Sequence, residues 1–250
     1  MTGAQPSILL EKRSNGVAVI TLNRPHVLNA LDVPSKERLG AIWQEIADDG
    51  AVHVAVITGA GSKAFCAGSD IKEINRTGRM ATTETLMRAI PGEGVALDKP
   101  VIAALNGYCV GMGMTLALHC DLRVAARDTV LGYPEVRHGM ISAVSALRLP
   151  QVMPSARALE MLLLARNISA EEGLRWGLLN AVVDDVAAEA QKWAEAIAAC
   201  SPAAVQATKR LAMFSRRLSE AERAEIATAR ALVEGTDDYR QGAAAFAERR

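Results

Sequence analysis

Twenty consecutive positions, Val101 to Cys120, carry no formally charged side chain. At the length of a bilayer crossing, such a stretch is either a membrane span or a segment buried inside a folded core. Asn106-Gly107 puts a turn signal in its middle, Gly111 and Gly113 follow, and Asp121 closes it. A span would need an unbroken apolar helix. A buried strand over Val101–Leu105, a tight turn and a buried helix account for the same residues better, and no membrane crossing is expected.

The flanking sequence extends this pattern. Gly16–Asn23 is an apolar, β-branched run ended by Arg24-Pro25, which reads as a strand and its exit. From Pro34 to Asp49, Leu39, Ile42, Trp43 and Ile46 have helical spacing, with proline suited to the first turn. His53–Thr58, Leu122–Ala126 and a short Thr129–Gly132 read as further strands. Strands this uniformly apolar are buried on both faces, which implies parallel pairing with helices between them. After Pro150 the pattern turns helical. Ser169 with Glu172 and Ser219 with Glu222 make capping boxes, Ser201-Pro202 is an N-cap with proline at N1, and Val186, Ala190, Trp193 and Ile197 mark one apolar helix face. Met80 to Pro91 reads as a loop or an exposed helix. The expected organisation is an α/β core over residues 1–195 and a helical region over 196–250.

Composition excludes several function classes. Lys and Arg balance Asp and Glu at 28 each, so no global field favours nucleic acid or an anionic membrane. Cys66, Cys109, Cys120 and Cys200 form no C-x-x-C pair, and no His/Cys cluster has zinc spacing, so no metal is expected. Three of these cysteines sit in strongly apolar contexts, as reduced structural thiols of a cytoplasmic protein do. Met1 to Leu10 shows no basic region followed by an apolar one, and no secretory signal is expected.

Three segments carry chemistry. Lys63–Lys72 (KAFCAGSDIK) is a small-residue turn directly after a buried strand, where a ligand can approach the backbone closely. It also suits a connection that needs glycine for geometry alone. Asn106–Thr115 (NGYCVGMGMT) enters the apolar helix with its first amides free, and such amides attract partial negative charge. Close helix–strand packing explains the same glycines, and neither a dinucleotide fingerprint nor a phosphate loop is present. In Gly132–Gly139 (GYPEVRHG), Glu135 is either a favourable acid at a helix start or a carboxyl with a raised pKa that shuttles protons.

Taken in this order and spacing, the segments resemble the crotonase (enoyl-CoA hydratase/isomerase) family. Asn23-Arg24-Pro25 with Leu28-Asn29-Ala30-Leu31, Ile57-Thr58-Gly59, Ala67-Gly68-Ser69-Asp70-Ile71 and Asn106-Gly107 with Gly111-x-Gly113 carry the match. Cys120-Asp121-Leu122-Arg123, Pro134-Glu135, Ala170-Glu171-Glu172-Gly173 with Trp176-Gly177-Leu178, and Gly242 with Phe246 and Arg249 extend it over nearly the whole chain. The resemblance implies an α/β spiral of ββα units with a helical C-terminal part that forms trimers or dimers of trimers. It implies an acyl-CoA substrate, with CoA belonging to the substrate and no separate cofactor. The backbone N–H groups of Ser69 and Met112 become an oxyanion hole for a thioester enolate. Glu135 becomes the acid/base. Arg24, Ala67, Asp70, Ile71, Lys72 and Phe246 become the CoA-binding residues, with Arg24 and Lys72 toward its phosphates.

The sequence departs from the hydratase pattern at one place that matters. Hydratases of the family usually carry a second glutamate three residues after the oxyanion glycine, where this chain has Thr115. Threonine can position a water but cannot take its proton near neutral pH. Ile141–Ser145 also replaces the usual turn rich in proline and glycine. Hydration/dehydration leads as the broader class, Δ3-Δ2 enoyl-CoA isomerisation follows closely because a single glutamate suffices for it, and a non-catalytic acyl-CoA binder is the rival of another class. His138, three residues beyond Glu135, is a further titratable candidate on the same face, although a surface or capping role is expected of it first; His119 is expected in the core and Asp121 as a structural acid.

Overall fold

The computed structural model describes residues 5–78, 81–214, 218–234, 236 and 241. The chain opens with a hairpin, β1 (Ile8–Lys12) and β2 (Val17–Leu22), paired antiparallel. Helix α1 (Val33–Asp48) follows, its first turn closed by Asp32, whose side chain accepts from Ser35 N at 2.8 Å.

A repeating unit then begins: one strand joins a large sheet, the next joins a small one, and a helix returns the chain. The first round is β3 (Val54–Gly59), β4 (Ala64–Cys66), α2 (Ile71–Thr77) and α3 (Thr83–Ala89). The second is β5 (Val101–Leu105), β6 (Tyr108–Val110) and α4 (Met112–His119). The third is β7 (Leu122–Ala126), β8 (Val130–Gly132), a 3-10 turn at Glu135–His138, α5 (Ala143–Arg148) and α6 (Ser155–Leu163). The chain closes with β9 (Ile168–Ser169), α7 (Ala170–Arg175), β10 (Ala181–Val183), α8 (Val186–Ala198), α9 (Pro202–Met213) and α10 (Glu220–Glu234).

The large sheet has the order β1-β2-β3-β5-β7-β10, and every pairing after the hairpin is parallel. The small sheet runs β4-β6-β8-β9, with β4, β6 and β8 mutually parallel. This is the ββα spiral that the resemblance implied, with its helical C-terminal part. The expected strand over Thr129–Gly132 enters the small sheet rather than the large one.

Side-chain alternation builds a core on each face of the large sheet. Val54 and Val56 of β3, Ile102 and Ala104 of β5, and Val124 of β7 pack under α8, against Val186, Ala190, Trp193, Ala194 and Ile197. Ala55, Ile57, Val101, Ala103 and Leu105 point the other way, into the main cluster with Trp43, Phe65 and Tyr133. The apolar α8 face is thus the one anticipated from its spacing. Helix α8 ends at Ala198, three residues past the expected boundary after 195.

Polar residues inside the fold tie element ends together. Asp121 Oδ2 accepts from Val101 N and from Lys209 Nζ, both at 2.7 Å, as a structural acid should. Arg123 Nη1 donates to the carbonyls of Ala117 (3.2 Å), Leu118 (3.3 Å) and Cys120 (2.5 Å), satisfying the open end of α4. Both expected capping boxes form, at Ser169/Glu172 and at Ser219/Glu222. Residues 83–89 of the undecided Met80–Pro91 stretch form α3, and Trp43 Nε1 donates to its Ala89 carbonyl at 2.8 Å. Cys66, Cys109 and Cys120 are buried free thiols, while Cys200 is exposed. Among the described residues, no helix is long and apolar enough to cross a membrane.

Candidate active site

Because β4, β6 and β8 are parallel neighbours, the loops that follow them leave from one edge of the small sheet. Those three loops are the three segments singled out in the sequence. They touch through glycines. Gly68 has φ +106°, and a Cβ there would lie 3.6 Å from Met112 N. Gly111 has φ +58°, and a Cβ there would lie 3.5 Å from Gly68 Cα and 3.4 Å from Glu135 Oε1.

The backbone around Ser69 is pinned by a parallel bridge to Leu31. Leu31 N donates to Gly68 O at 2.8 Å, and Asp70 N donates to Leu31 O at 2.9 Å. Such a bridge uses the residues on either side of Ser69 and leaves its own N–H facing away. Met112 is the first residue of α4, so its N–H has no acceptor within the helix. Neither amide donates to a protein acceptor among the described residues. Ser69, Met112, Thr115 and Glu135 line one cavity of about 180 Å³.

Glu135 is half-buried as a residue, but its Oε2 is shut off from solvent and has no hydrogen-bond partner among the described residues. Burial pushes its carboxyl above the usual value of 4.5, only partly offset by its own backbone and by Ser142. A carboxyl held this way carries a proton more readily near neutral pH than a solvated one. Thr115 is buried in the lining of the same cavity. Its Oγ1 lies 3.2 Å from Gly111 O and 2.8 Å from Ser145 Oγ, so a donor chain can run from Ser145 through Thr115 to Gly111.

A family model described as Enoyl-CoA hydratase/isomerase matches residues 12–250. The chain belongs to the enoyl-CoA hydratase/isomerase family. It is 38% identical to an (E)-benzylidenesuccinyl-CoA hydratase from Thauera aromatica, over 95% of this chain and 94% of that one. It is 34% identical to a short-chain-enoyl-CoA hydratase from Clostridium acetobutylicum, over 98% and 95%. The fold superposes on a carnitinyl-CoA hydratase structure from Mycobacterium avium with a TM-score of 0.87 at 35% identity, covering 99% and 97% of the two chains. The chain is thus an acyl-CoA enzyme of the hydratase/isomerase type.

Within this enzyme family frame, the sequence candidates divide. Ala67, Ile71, Ser69, Met112, Thr115, Glu135 and His138 all line the cavity. His138, expected at the surface, is half-buried in the cavity wall because the 3-10 turn brings it round to the side of Glu135. Arg24 donates to Asp70 Oδ2 at 2.9 Å and to Ala30 O at 2.6 Å, and lies 3.4 Å from Asp32 Oδ2. Asp70 in turn caps α2, accepting from Glu73 N at 3.1 Å. That pair ties the loop down instead of lining the cavity. Lys72 is exposed on α2. Phe246 lies outside the described residues. His119 is a core residue as expected, its Nδ1 2.9 Å from Thr115 O and its pKa depressed by burial to about 4. Among the described residues, no three of His, Cys, Asp or Glu converge as a metal site.

Four cavity or near-cavity residues escaped the sequence reading. Lys36 and Arg230 line the cavity. Tyr133 and Ser145 lie fully buried behind it, the Tyr133 hydroxyl beside Ser145 and Thr115 without reaching a partner in hydrogen-bond geometry. Lys36 was legible in principle: it stands three residues before Leu39 and seven before Trp43, on the apolar face of α1.

Proposed function

We propose that this enzyme hydrates 2-enoyl-CoA thioesters and dehydrates the matching 3-hydroxyacyl-CoA, with Glu135 as the single proton carrier. The observation that supports this reading is the placement of one desolvated carboxyl and two unpartnered amides around one cavity. In this reading the Ser69 and Met112 amides receive the thioester oxygen and stabilise the charge that develops as the enolate forms; each such donor contributes about 3–4 kcal/mol in comparable sites. Glu135 takes a proton from water as its oxygen bonds to Cβ. The same proton then goes from Glu135 to Cα as the enolate collapses. Water is thereby added across the double bond with no net change in the carboxyl.

Thr115 has one hydroxyl lone pair left after its contacts with Gly111 and Ser145, and a water can donate to it. That would orient the water without deprotonating it, leaving the base role to Glu135. Hydratase is the activity named for the relatives above, which favours hydration. The second reading, Δ3-Δ2 isomerisation, is favoured by Thr115 standing where a second carboxylate would serve hydration, because proton transfer within one substrate needs a single carboxyl.

CoA enters this reading as part of the substrate, with no further cofactor. Lys72 is proposed for its phosphates, Ala67, Ile71 and Phe246 for enclosing it, and Arg24 with Asp70 for holding the loop it rests on. Leu211 and Phe214 leave large apolar side chains 77% and 78% exposed near the end of α9, which supports a homotrimer or a dimer of trimers. Following the conjugated thioester absorbance band separates the two reactions. Loss of the band from a 2-enoyl-CoA is expected; its growth from a 3-enoyl-CoA without later loss would replace hydration by isomerisation.

A further inference from the structure

Lys36 is only 1% exposed, yet it lines the acyl cavity. Its backbone N–H donates to Asp32 O at 3.1 Å, but its ammonium makes no hydrogen bond or ion pair among the described residues. A buried ammonium without a partner is costly, and folded chains rarely retain one without compensation. The acids nearest it are committed elsewhere. Asp32 caps α1 and faces Arg24, and Asp70 caps α2 and pairs with Arg24. The Cys66 thiol beside it is held neutral, pushed up to about 12 by burial.

Besides Glu135, the other acid in the cavity lining is Glu234 of α10, and it is paired with Arg230. Arg230 of α10 lines the same cavity and lowers the Lys36 pKa by repulsion, while its guanidinium is held by Glu234 at 2.9 Å and Thr83 at 3.1 Å. Ile71, Ile74, Leu86, Ile90 and Val144 give the same cavity an apolar lining. Burial brings the Lys36 pKa down to about 8, which still leaves it mostly protonated at neutral pH. The cavity therefore has a proton carrier on one wall, apolar sides, and an unsatisfied cation.

We propose that Lys36 is a specificity residue that takes a carboxylate borne by the acyl group, so that the preferred substrates are CoA monothioesters of unsaturated dicarboxylic acids. A carboxylate entering from the ligand supplies the partner that the protein withholds, and a charge-assisted hydrogen bond in an apolar wall is strong and directional. An acyl chain with an uncharged end would leave the ammonium unpaired, and the site would select against it.

This inference rests on the acyl-CoA hydration reading, and the test separates the two. The probes are carboxylated 2-enoyl-CoA thioesters of five and six carbons and their methyl esters, assayed with the wild-type chain, Lys36→Met and Lys36→Arg. For the wild type, kcat/KM should favour the free acid over its ester. Lys36→Met should cut that ratio roughly 10- to 100-fold, and Lys36→Arg should preserve more of it than methionine does. A wild type that uses the ester as well as the acid overturns the proposal without any variant. So does a ratio that Lys36→Met leaves within about twofold of wild type. If no 2-enoyl substrate is hydrated, the hydration reading fails. Binding of the saturated carboxylated thioester against its ester then decides Lys36: a preference lost in Lys36→Met sustains it, and equal affinities sink it.

Discussion

Replacing Glu135 with glutamine separates catalysis from stability, because the two should move in opposite directions. The side chain keeps its size but loses both the proton site and the charge. General acid–base groups contribute about 10²–10⁴-fold, and here one carboxyl serves both proton steps, so kcat should fall by about 10⁴-fold. The stability effect follows from the carboxylate Oε2, buried without a partner, and from the carboxyl pKa raised above 4.5. A raised folded-state pKa means the folded chain holds the proton more tightly than the unfolded one. That stabilisation is fully present below pH 4.5 and is lost as pH rises through the folded value. At pH 7.5 the wild type carries the cost of a desolvated charge, on the order of 1 kcal/mol, which glutamine removes. A chain of this length gains about 2–4 °C in Tm per kcal/mol. Thermal melts of both proteins from pH 4 to pH 8, with kcat measured alongside, should show an inactive variant whose Tm advantage opens as pH rises. Undiminished turnover would refute the proton-carrier role. A variant less stable than wild type by the same margin at pH 4 and pH 7.5 would refute the desolvation argument.

Three further outcomes are expected. Gly111→Ala places an L-residue at φ +58° with its Cβ 3.4 Å from Glu135 Oε1; it should cost about 1–3 kcal/mol in thermal stability and, by shifting the Met112 amide, about 10²-fold in kcat. Thr115→Val removes the hydroxyl that meets Ser145 Oγ at 2.8 Å; hydration of a 2-enoyl-CoA should fall about 10-fold or more, and an equal fall in proton exchange at Cα of a saturated acyl-CoA would show that Thr115 serves something other than water. Asp121→Ala strips Val101 N of its acceptor and leaves Lys209 only the Lys99 carbonyl at 2.8 Å; denaturation should register a loss of about 2 kcal/mol, with kcat of the folded fraction unaltered.

What the sequence disclosed depended on segment length and on how polar residues are counted. Strands β5 and β7 are five-residue runs in the middle of the large sheet, apolar enough on both faces to be read without ambiguity. Strands β4, β6, β9 and β10 are two or three residues long, too short to display any period, and went unread. Strand β1 went unread for another reason: it is an edge strand, mostly exposed, and its charged end masks the pairing. The oxyanion and Glu135 segments were legible because their glycines are required by geometry, with Gly68 and Gly111 both at positive φ. Lys36 shows in the sequence only through the positions of Leu39 and Trp43 after it, because a lysine on a helix is ordinarily counted to the solvent face. For His138, three residues after Glu135, the sequence leaves a capping or surface place and a place on the Glu135 face both open, and the 3-10 turn gives it the second.

The arrangement of the site explains why one of its chemical parts can change while another stays. Each round of the spiral delivers one contribution: Ser69 follows β4, Met112 and Thr115 follow β6, and Glu135 follows β8. The amides depend on backbone geometry alone, fixed by the bridge to Leu31 and by the start of α4. Their function is indifferent to which side chains stand at 69 and 112, within the limits of space. The proton chemistry instead depends on single side chains, Thr115 on one round and Glu135 on the next. Exchanging a carboxylate for Thr115 therefore alters how water is handled without disturbing the enolate site. In the proposed reading, acyl preference is set from another element again, by Lys36 on α1, which contributes to none of the three loops. On the proposed roles, stabilising the enolate, moving the proton and choosing the acyl group fall to separate parts of one fold, and each can be perturbed alone.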